Sequence, residues 1–267
     1  MITENNTTQN PGSSTIMRGI RLADLSLRLG SSDLITDMSE TFDVGTWTCI
    51  LGPSGVGKSL LLRAILGLID PHSHSDITVS GNVYTTNGNE PLTGYVSYMA
   101  QQDLLFPWLT VRQNIELGTS LRGQQSCGAD SQKTEELLKA VGLDAYADTL
   151  PDRLSGGMRQ RAALARTLKE NTPIVIMDEP FSAVDAITRL RLQDMASEFL
   201  TGRTVIMVTH DPLEALRLGH NVRVLRGRPA AFEPAIAPPA CPPRSVESPD
   251  ILEMQGRLLT SLQGSGI

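Results

Sequence analysis

Apolar and polar residues alternate near the start of the chain, over residues 16 to 29 and again over residues 34 to 42. This period of two predicts half-buried strands of an antiparallel region. Two later runs, residues 174 to 177 and 204 to 208, are continuously apolar and β-branched. Such runs are typical of strands covered on both faces, and the helical segments between them predict βαβ units around a mainly parallel sheet.

The region between these strands contains further elements. Residues 46 to 51 form another strand-like run, and the apolar stretch from 60 to 69 predicts a buried helix that ends before Pro71. Gly81-Asn82 and the Asn-Gly-Asn sequence at residues 87 to 89 predict turns between short strands. These features place a βα unit early in the chain, followed by a region of short strands.

The middle of the chain, about residues 110 to 170, has helical patterns. Residues 135 to 141 are amphipathic, and Gly142 is a suitable stop. Seven of the 16 prolines lie between Pro229 and Pro249, which predicts an extended linker outside the core. Beyond it, residues 251 to 262 predict a short amphipathic helix that docks on this domain or on a partner.

These patterns divide the chain into four parts. The first is polar and predicted to be disordered, the second is a single large domain with a helical part inside it, and the third and fourth are the linker and the terminal helix. The boundaries are 1–15, 16–228 (helical part about 102–165), 229–249 and 250–267.

Composition narrows the class of protein. The 23 Lys and Arg residues against 29 Asp and Glu give a net charge of -6, which opposes binding to nucleic acid through a broad basic surface. The sequence has no apolar run long enough to span a membrane. Its polar start lacks the pattern of a secretory leader, so we expect none. The three cysteines suggest no disulfide framework. We therefore expect a soluble, cytoplasmic protein.

The run that follows the strand at residues 46 to 51 fits the P-loop pattern G-x-x-x-x-G-K-[ST] without a mismatch. Its glycines let backbone N–H groups wrap a phosphate chain. Lys58 is expected to contact the β- and γ-phosphates, and the Ser59 hydroxyl to bind Mg²⁺. The alternative is a glycine turn without a ligand. The candidate nucleotide-binding residues here are Gly52, Pro53, Ser54, Gly55, Val56, Gly57, Lys58, Ser59 and Leu60.

Two adjacent acids end the apolar run at residues 174 to 177. Asp178 is expected to hold Mg²⁺ through water, and Glu179 to orient and polarise the attacking water. Phosphoryl transfer needs mainly positioning and charge neutralisation, so two carboxylates with these roles suffice. Alone, the pair could equally mark the start of a loop.

A second anion-binding device precedes this strand. Ser155 is a natural helix N-cap, and Gly156 and Gly157 leave backbone N–H groups open at a helix N-terminus. One nucleotide needs one P-loop, so the simplest account is that this device binds the γ-phosphate of a nucleotide held by another copy. An ordinary capped helix is the alternative.

The sequence Leu-Ser-Gly-Gly-Met-Arg-Gln-Arg at residues 154 to 161 resembles the signature of ATP-binding cassette (ABC) ATPases. Within that resemblance, Gln101 matches the glutamine that contacts Mg²⁺ and the attacking water, with Gln102 as the competing assignment. Residues 182 to 185, Ser-Ala-Val-Asp, resemble the D-loop, which crosses the dimer interface, with Asp185 as its last residue. His210 matches the switch histidine that senses the γ-phosphate. The implied fold is an α/β, RecA-like P-loop core with a mainly parallel sheet, an N-terminal antiparallel β region and an inserted helical subdomain.

The resemblance also implies an assembly. Two copies would pack head to tail, with each ATP between Lys58, Asp178 and Glu179 of one copy and Ser155 and Gly157 of the other. ATP binding would close the dimer and hydrolysis would reopen it. The chain departs from the family pattern in two places: Leu29, or Arg28, stands where an aromatic residue stacks on adenine, and Leu60 replaces a second hydroxyl residue.

Several kinds of ABC protein are possible. The single cassette without a long insertion favours the ATPase subunit of a membrane transporter over an ATPase acting on nucleic acid or ribosomes; a non-import membrane complex also remains. Residues 101 to 111 resemble nitrate, sulfonate, taurine and thiamine importer ATPases, which implies import of a small polar solute. The partners would be permease subunits and, indirectly, an external solute-binding protein, at the cytoplasmic face of the inner membrane. Trp108 could serve in the core or in docking.

Overall fold

The structure, a computed structural model, describes residues 17–69, 76–123 and 128–263. The predicted disorder of residues 1–15 and the predicted helix stop at Pro71 lie outside these residues. Strands and helices alternate through most of the chain. The strands are β1 (Ile20–Leu29), β2 (Ser32–Phe42), β3 (Trp47–Leu51), β4 (Ile77–Thr85), β5 (Val96–Met99), β6 (Ile174–Asp178), β7 (Thr204–Val208), β8 (Asn221–Gly227) and β9 (Ala230–Phe232).

The helices fall between and after these strands. A long helical stretch separates β5 from β6, as the patterns at residues 110 to 170 predict. The helices are α1 (Lys58–Ile65), α2 (Val111–Ile115), α3 (Leu117–Leu121), α4 (Gly128–Ala140), α5 (Gly156–Lys169), α6 (Ala186–Phe199), α7 (Pro212–Leu218) and α8 (Pro249–Gln263), with 3-10 turns at Asp144–Tyr146 and Pro151–Arg153.

The strands form two sheets. The larger has the order β5-β6-β7-β3-β8-β9, and every neighbouring pair is parallel except the last. The smaller has the order β2-β1-β4 and is antiparallel. The predicted fold class, an α/β core with a mainly parallel sheet and an N-terminal antiparallel region, is confirmed.

The apolar core lies on both faces of the parallel sheet. Along β6, Val175 and Met177 join one buried cluster with helices α5 and α6, whereas Ile174 and Ile176 join the other with α1 and the antiparallel sheet. All five residues of β6 are buried. This explains why the strand is continuously apolar: neither face is left for polar side chains.

Two local predictions are wrong. Helix α1 ends at Ile65, well before residue 69, because the chain turns there and Gly67 adopts a φ of +65°. Gly81-Asn82 does not form a turn; β4 continues through it. Gly81 lies where the register between β1 and β4 shifts, and a Cβ there would stand 2.3 Å from the Asp24 carbonyl oxygen, so this glycine permits a β-bulge.

The proline-rich segment packs against the domain and pairs with its sheet, so the prediction of an extended linker apart from the domain is wrong. Strand β9 pairs with β8, and Ile236 bridges Val222. Arg244, only 6% exposed, fastens the segment to α7. Its guanidinium donates hydrogen bonds of 2.6–2.9 Å to the carbonyl oxygens of Leu216, Gly219, Pro238, Pro239 and Ala240. Helix α8 then packs on α7 through buried Ile251 and Leu258, so its docking site is this domain.

We expect Arg244→Met to destabilise the protein by about 3 kcal/mol, because the methionine keeps the length but leaves buried carbonyls without donors. For a domain of this size that lowers Tm by about 6–12 °C. Thermal unfolding measures the change, and Arg257→Met, at a mostly exposed position on α8, is the control. An equal Tm for the two variants would contradict the role of Arg244 as a fastener.

Candidate nucleotide-binding site

The candidate site residues follow three neighbouring parallel strands. The P-loop follows β3, Asp178-Glu179 ends β6, and His210 comes just after β7. In the sheet these strands are adjacent in the order β6-β7-β3. Because carboxyl ends of parallel strands meet at one edge, residues far apart in sequence converge there.

The P-loop, residues 52 to 59, runs from the end of β3 into the first turn of α1. Gly55 and Gly57 have φ values of +79° and +104°, and nothing lies within 4 Å of a Cβ built on either. The glycines are therefore required by backbone conformation and leave an open cradle of N–H groups. Half of the loop residues are exposed, namely Pro53, Ser54, Gly55 and Ser59, and the others are half-buried; Leu60 lies in the first turn of α1.

Lys58 folds back over this loop. Its Nζ donates to the carbonyl oxygens of Gly52 (2.7 Å) and Pro53 (3.0 Å). Burial lowers the pKa of Lys58, while the charges of Glu179 and Asp178 act against that shift. The ammonium group thus stands at the loop, next to both acids, where an incoming phosphate would meet it.

Asp178 and Ser59 form the part of the site suited to a cation. The Ser59 hydroxyl hydrogen-bonds the Asp178 carboxylate. Burial raises the pKa of Asp178 and the nearby Glu179 adds to this, whereas Ser59 and Lys58 oppose it. Asp178 Oδ1 is buried without a hydrogen-bond partner. A buried carboxylate oxygen left unpaired beside a hydroxyl is the donor set expected for Mg²⁺, so these residues fit that ion.

Glu179 and His210 face each other. His210 Nδ1 lies 3.3 Å from Glu179 Oε2; the histidine side chain is 65% exposed and the glutamate 19%. Glu179 has a φ of +50°, rare for a non-glycine residue, and its N–H donates to the Val208 carbonyl. The strained backbone turns the carboxylate out of the sheet edge towards His210, where a base and an acid can act together.

The second anion-binding device lies at the start of α5. Ser155 caps the helix by accepting from Met158 N (3.2 Å), and Ser155 and Gly156 are exposed. A Cβ on Gly157 would stand 2.8 Å from the Ala183 carbonyl oxygen, so glycine permits close packing on the D-loop. Asp185 caps α6, and hydrogen bonds from Thr188 lower the pKa of its carboxyl. Both side chains thus bond to their own helices.

Comparison with known proteins decides the family. The family profile described as "ABC transporter" matches residues 35–182. An uncharacterised ABC transporter ATP-binding protein of Haemophilus influenzae is 37% identical over 92% of this chain and 99% of its own length. The chain belongs to the ABC transporter family.

Other relatives and one solved structure agree. An aliphatic sulfonates import ATP-binding protein, SsuB 2, of Burkholderia cenocepacia is 37% identical over 88% of this chain and 83% of its own length. The dimeric structure of an ATP-binding cassette protein in a post-hydrolysis state, bound to ADP and Pi, matches with a TM-score of 0.70 and 27% identity, over 83% of this chain and all of that one. The chain is an ATP-binding and ATP-hydrolysing ABC subunit.

The two glutamine candidates of this ABC subunit share one cavity. Gln101 and Gln102 follow β5, are both exposed, and line a cavity of about 440 Å³ together with the start of α5 and the D-loop. Asp103, next in the chain, is paired with Arg159 of α5 (3.0 Å), and Arg166 donates to its carbonyl. The segment that carries both glutamines is therefore attached to α5, the helix that begins in the signature sequence.

Sequence reasoning missed Gln160. Its side chain is buried, donates to the Glu179 carbonyl (2.8 Å) and to Ser182 Oγ (3.1 Å), and accepts from Ala183 N (2.7 Å). It therefore holds the backbone that presents Glu179. A polar residue on the apolar face of α5 is the signal that could have identified it.

The structure also shows the two positions, Leu29 and Arg28, at which an aromatic residue was expected to stack on adenine. Leu29, at the end of β1, is 48% exposed. The Arg28 guanidinium forms an ion pair with the Asp33 carboxylate, with Nε 2.7 Å from Oδ1. Leucine thus offers an apolar surface, and the arginine already has a partner.

Proposed function

We propose that this chain hydrolyses ATP at the cluster described above and drives import of a small polar solute through a separate membrane permease. The observation that carries the proposal is the convergence of Lys58, the unpaired Asp178 oxygen and the Glu179–His210 contact at one sheet edge. These groups supply the charges that phosphoryl transfer from ATP to water needs.

Each residue has a proposed role. The P-loop N–H groups and Lys58 bind the phosphates, while Ser59 and Asp178 would hold Mg²⁺, with Gln101 as a further contact. When bound, Mg²⁺ neutralises charge on the phosphate oxygens. Glu179 accepts a proton from the attacking water, and His210 donates to the γ-phosphate and stays within reach of Glu179.

The second copy completes the site. Ser155, Gly156 and Gly157 form an exposed, capped helix start, and the side chain of Ser155 points to its own helix and not to the P-loop. We infer that this helix start binds the γ-phosphate held by a second copy, with Asp185 at the interface. A head-to-tail dimer brings both devices to each nucleotide.

Three exposed apolar side chains form what we call the docking surface: Leu104, Phe106 and Trp108. They are 57%, 37% and 69% exposed, and the rings of Phe106 and Trp108 lie 5.1 Å apart. Apolar groups in this position, just after Gln101, support a membrane permease as the partner. Of the two sequence-based readings of Trp108, exposure favours docking.

We infer the direction of transport from the names of the relatives. Among them is the sulfonates import ATP-binding protein named above, so import of a small polar solute, with an external solute-binding protein as an indirect partner, is the proposed task. The described part of the chain has no helix long and apolar enough to cross a bilayer. We place the protein at the cytoplasmic face of the inner membrane, held there by the permease.

Co-purification from detergent-solubilised membranes tests the proposal. The tagged full chain should bring down an integral membrane protein, identified by mass spectrometry. Recovery of ribosomal proteins or RNA instead would support the second class, an ABC ATPase of translation or nucleic acid. The net charge of -6 opposes that class.

We expect the double variant Phe106→Ser/Trp108→Ser to lose its permease. Aromatic anchors contribute about 2 kcal/mol or more each to an interface, so loss of both should lower the affinity about a thousandfold. The yield of co-purified membrane protein measures it. The control is Leu252→Ser, at an exposed leucine of α8; an equal loss in that variant would exclude a specific docking surface.

A further inference from the structure

A row of polar side chains runs along the interface between α6 and α7, where helices usually bury apolar ones. Gln193 donates to Glu214 Oε1 (2.9 Å) and accepts from Arg217 Nη1 (3.1 Å). Arg217 also pairs with Asp194 at 2.5 Å. Gln193, Glu214 and Arg217 are only 2%, 5% and 8% exposed.

Buried polar groups of this kind cost free energy compared with apolar packing of the same shape. The hydrogen bonds among them, however, hold one relative position of the elements that carry them, although Arg217 Nε is buried without a partner among the described residues. The position of these elements affects the site: α6 begins directly after its N-cap Asp185 in the D-loop, and α7 begins at Pro212, two residues after His210.

Thr209, the residue before His210, connects this row of polar side chains to the site. Thr209 is 2% exposed, and its hydroxyl hydrogen-bonds the Glu214 carboxylate. The same hydroxyl oxygen accepts from Asp211 N (3.1 Å), and Thr209 N donates to the Ile50 carbonyl at the end of β3. The residues on both sides of His210 are thus fixed.

Asp211 adds a second attachment. Its carboxylate accepts from Leu213 N (2.9 Å) and lies 3.5 Å from Arg189 Nη1. Arg189 in turn donates to the Val184 carbonyl in the D-loop (3.2 Å). His210 itself is 65% exposed, and the contact with Glu179 is its one ion-pair contact in the described residues. Its position therefore depends on the backbone on either side.

We propose that Thr209 and Glu214 are positioning residues for hydrolysis: their buried hydrogen bond fixes the backbone that presents His210 to Glu179. The inference rests on the proposed roles of His210 and Glu179. Neither Thr209 nor Glu214 needs to touch ATP. They act by keeping the His210 ring within about 0.5 Å of a productive position, and displacements of about 1 Å cost up to about a hundredfold in rate.

The sharpest test is Thr209→Val, which keeps the shape of the side chain and removes its hydroxyl. We expect kcat for ATP hydrolysis by the full chain to fall at least about tenfold, with KM for ATP changed by less than about twofold. Thr209→Ser keeps the hydroxyl and should retain kcat within about twofold. Thermal unfolding of each variant reports its folded fraction.

A second set of variants tests the partner. Glu214→Leu should lower kcat as Thr209→Val does, and the double variant should be no worse than the worse single variant, since both remove the Thr209–Glu214 hydrogen bond. If Glu214→Leu does not fold, Glu214→Met replaces it, because a glutamine would keep an oxygen that accepts from the Thr209 hydroxyl. A purely structural role predicts lower Tm with unchanged kcat for the folded fraction, and that result, or full activity in Thr209→Val, overturns the inference.

His210→Ala separates this inference from the proposed site. If His210→Ala is inactive and Thr209→Val is fully active, only the positioning role is wrong. If His210→Ala keeps the wild-type rate, the proposed role of His210 is wrong and the positioning role falls with it. Both the role of His210 and the positioning role are supported if His210→Ala, Thr209→Val and Glu214→Leu all lose turnover. Thr209→Ser should remain active in that case.

Discussion

Glu179→Gln should abolish ATP turnover while leaving ATP bound. The substitution keeps size and one oxygen but removes the base that accepts the proton of the attacking water. General-base catalysis contributes about 10²–10⁴-fold, so kcat should fall at least about a hundredfold. Lys58 and the unpaired Asp178 oxygen are untouched, so nucleotide affinity should persist. We therefore expect ATP-bound dimers to accumulate, measured by size-exclusion chromatography with light scattering.

Glu198→Gln is the matched control, because Glu198 is an exposed residue of α6. It should hydrolyse ATP as the wild type does. Near-normal activity in Glu179→Gln would show that another group positions the water. Loss of ATP binding in that variant would instead point to a structural role for the carboxylate at its strained backbone position.

Lys58→Ala should lose affinity for ATP itself. The ammonium group lies over the loop that is proposed to bind the phosphates. A hydrogen bond to a charged group is worth about 1.5–3 kcal/mol, so the dissociation constant should rise about ten- to 150-fold. Isothermal titration calorimetry with Mg-ATP at fixed ionic strength measures it.

The control is Lys139→Ala, at an exposed lysine of α4, which removes the same charge far from the P-loop in sequence. Its affinity for ATP should equal that of the wild type. Unchanged binding in Lys58→Ala would refute the P-loop assignment. Equal losses in both variants would show that net charge, and not the position of the lysine, sets the affinity.

The sheet and its edge could be predicted from the sequence because their causes are local. Strands β6 and β7 are buried on both faces, which forces continuous apolar runs, and the polar residues that end them are visible as breaks. Since parallel strands align their carboxyl ends, Asp178, Glu179 and His210 converge without further information.

Other features could not be predicted because they depend on distant partners. The proline-rich segment has the composition of a linker, yet Arg244 finds five carbonyl oxygens that only the fold brings together. The need for glycine at position 81 arises from the bulged β1 backbone that lies opposite it. Gln160 lies in the signature sequence, but its bonds to the Glu179 and Ser182 region span about twenty residues.

The lysine that folds onto its own loop has a thermodynamic consequence. Because Lys58 already bonds the Gly52 and Pro53 carbonyls, the loop is held in a phosphate-accepting shape without nucleotide. With the role proposed for Lys58, ATP entry would exchange these carbonyl partners for phosphate oxygens, and little chain entropy would be lost on ordering. The binding free energy that is not needed to order the loop would remain available for the contact between two copies.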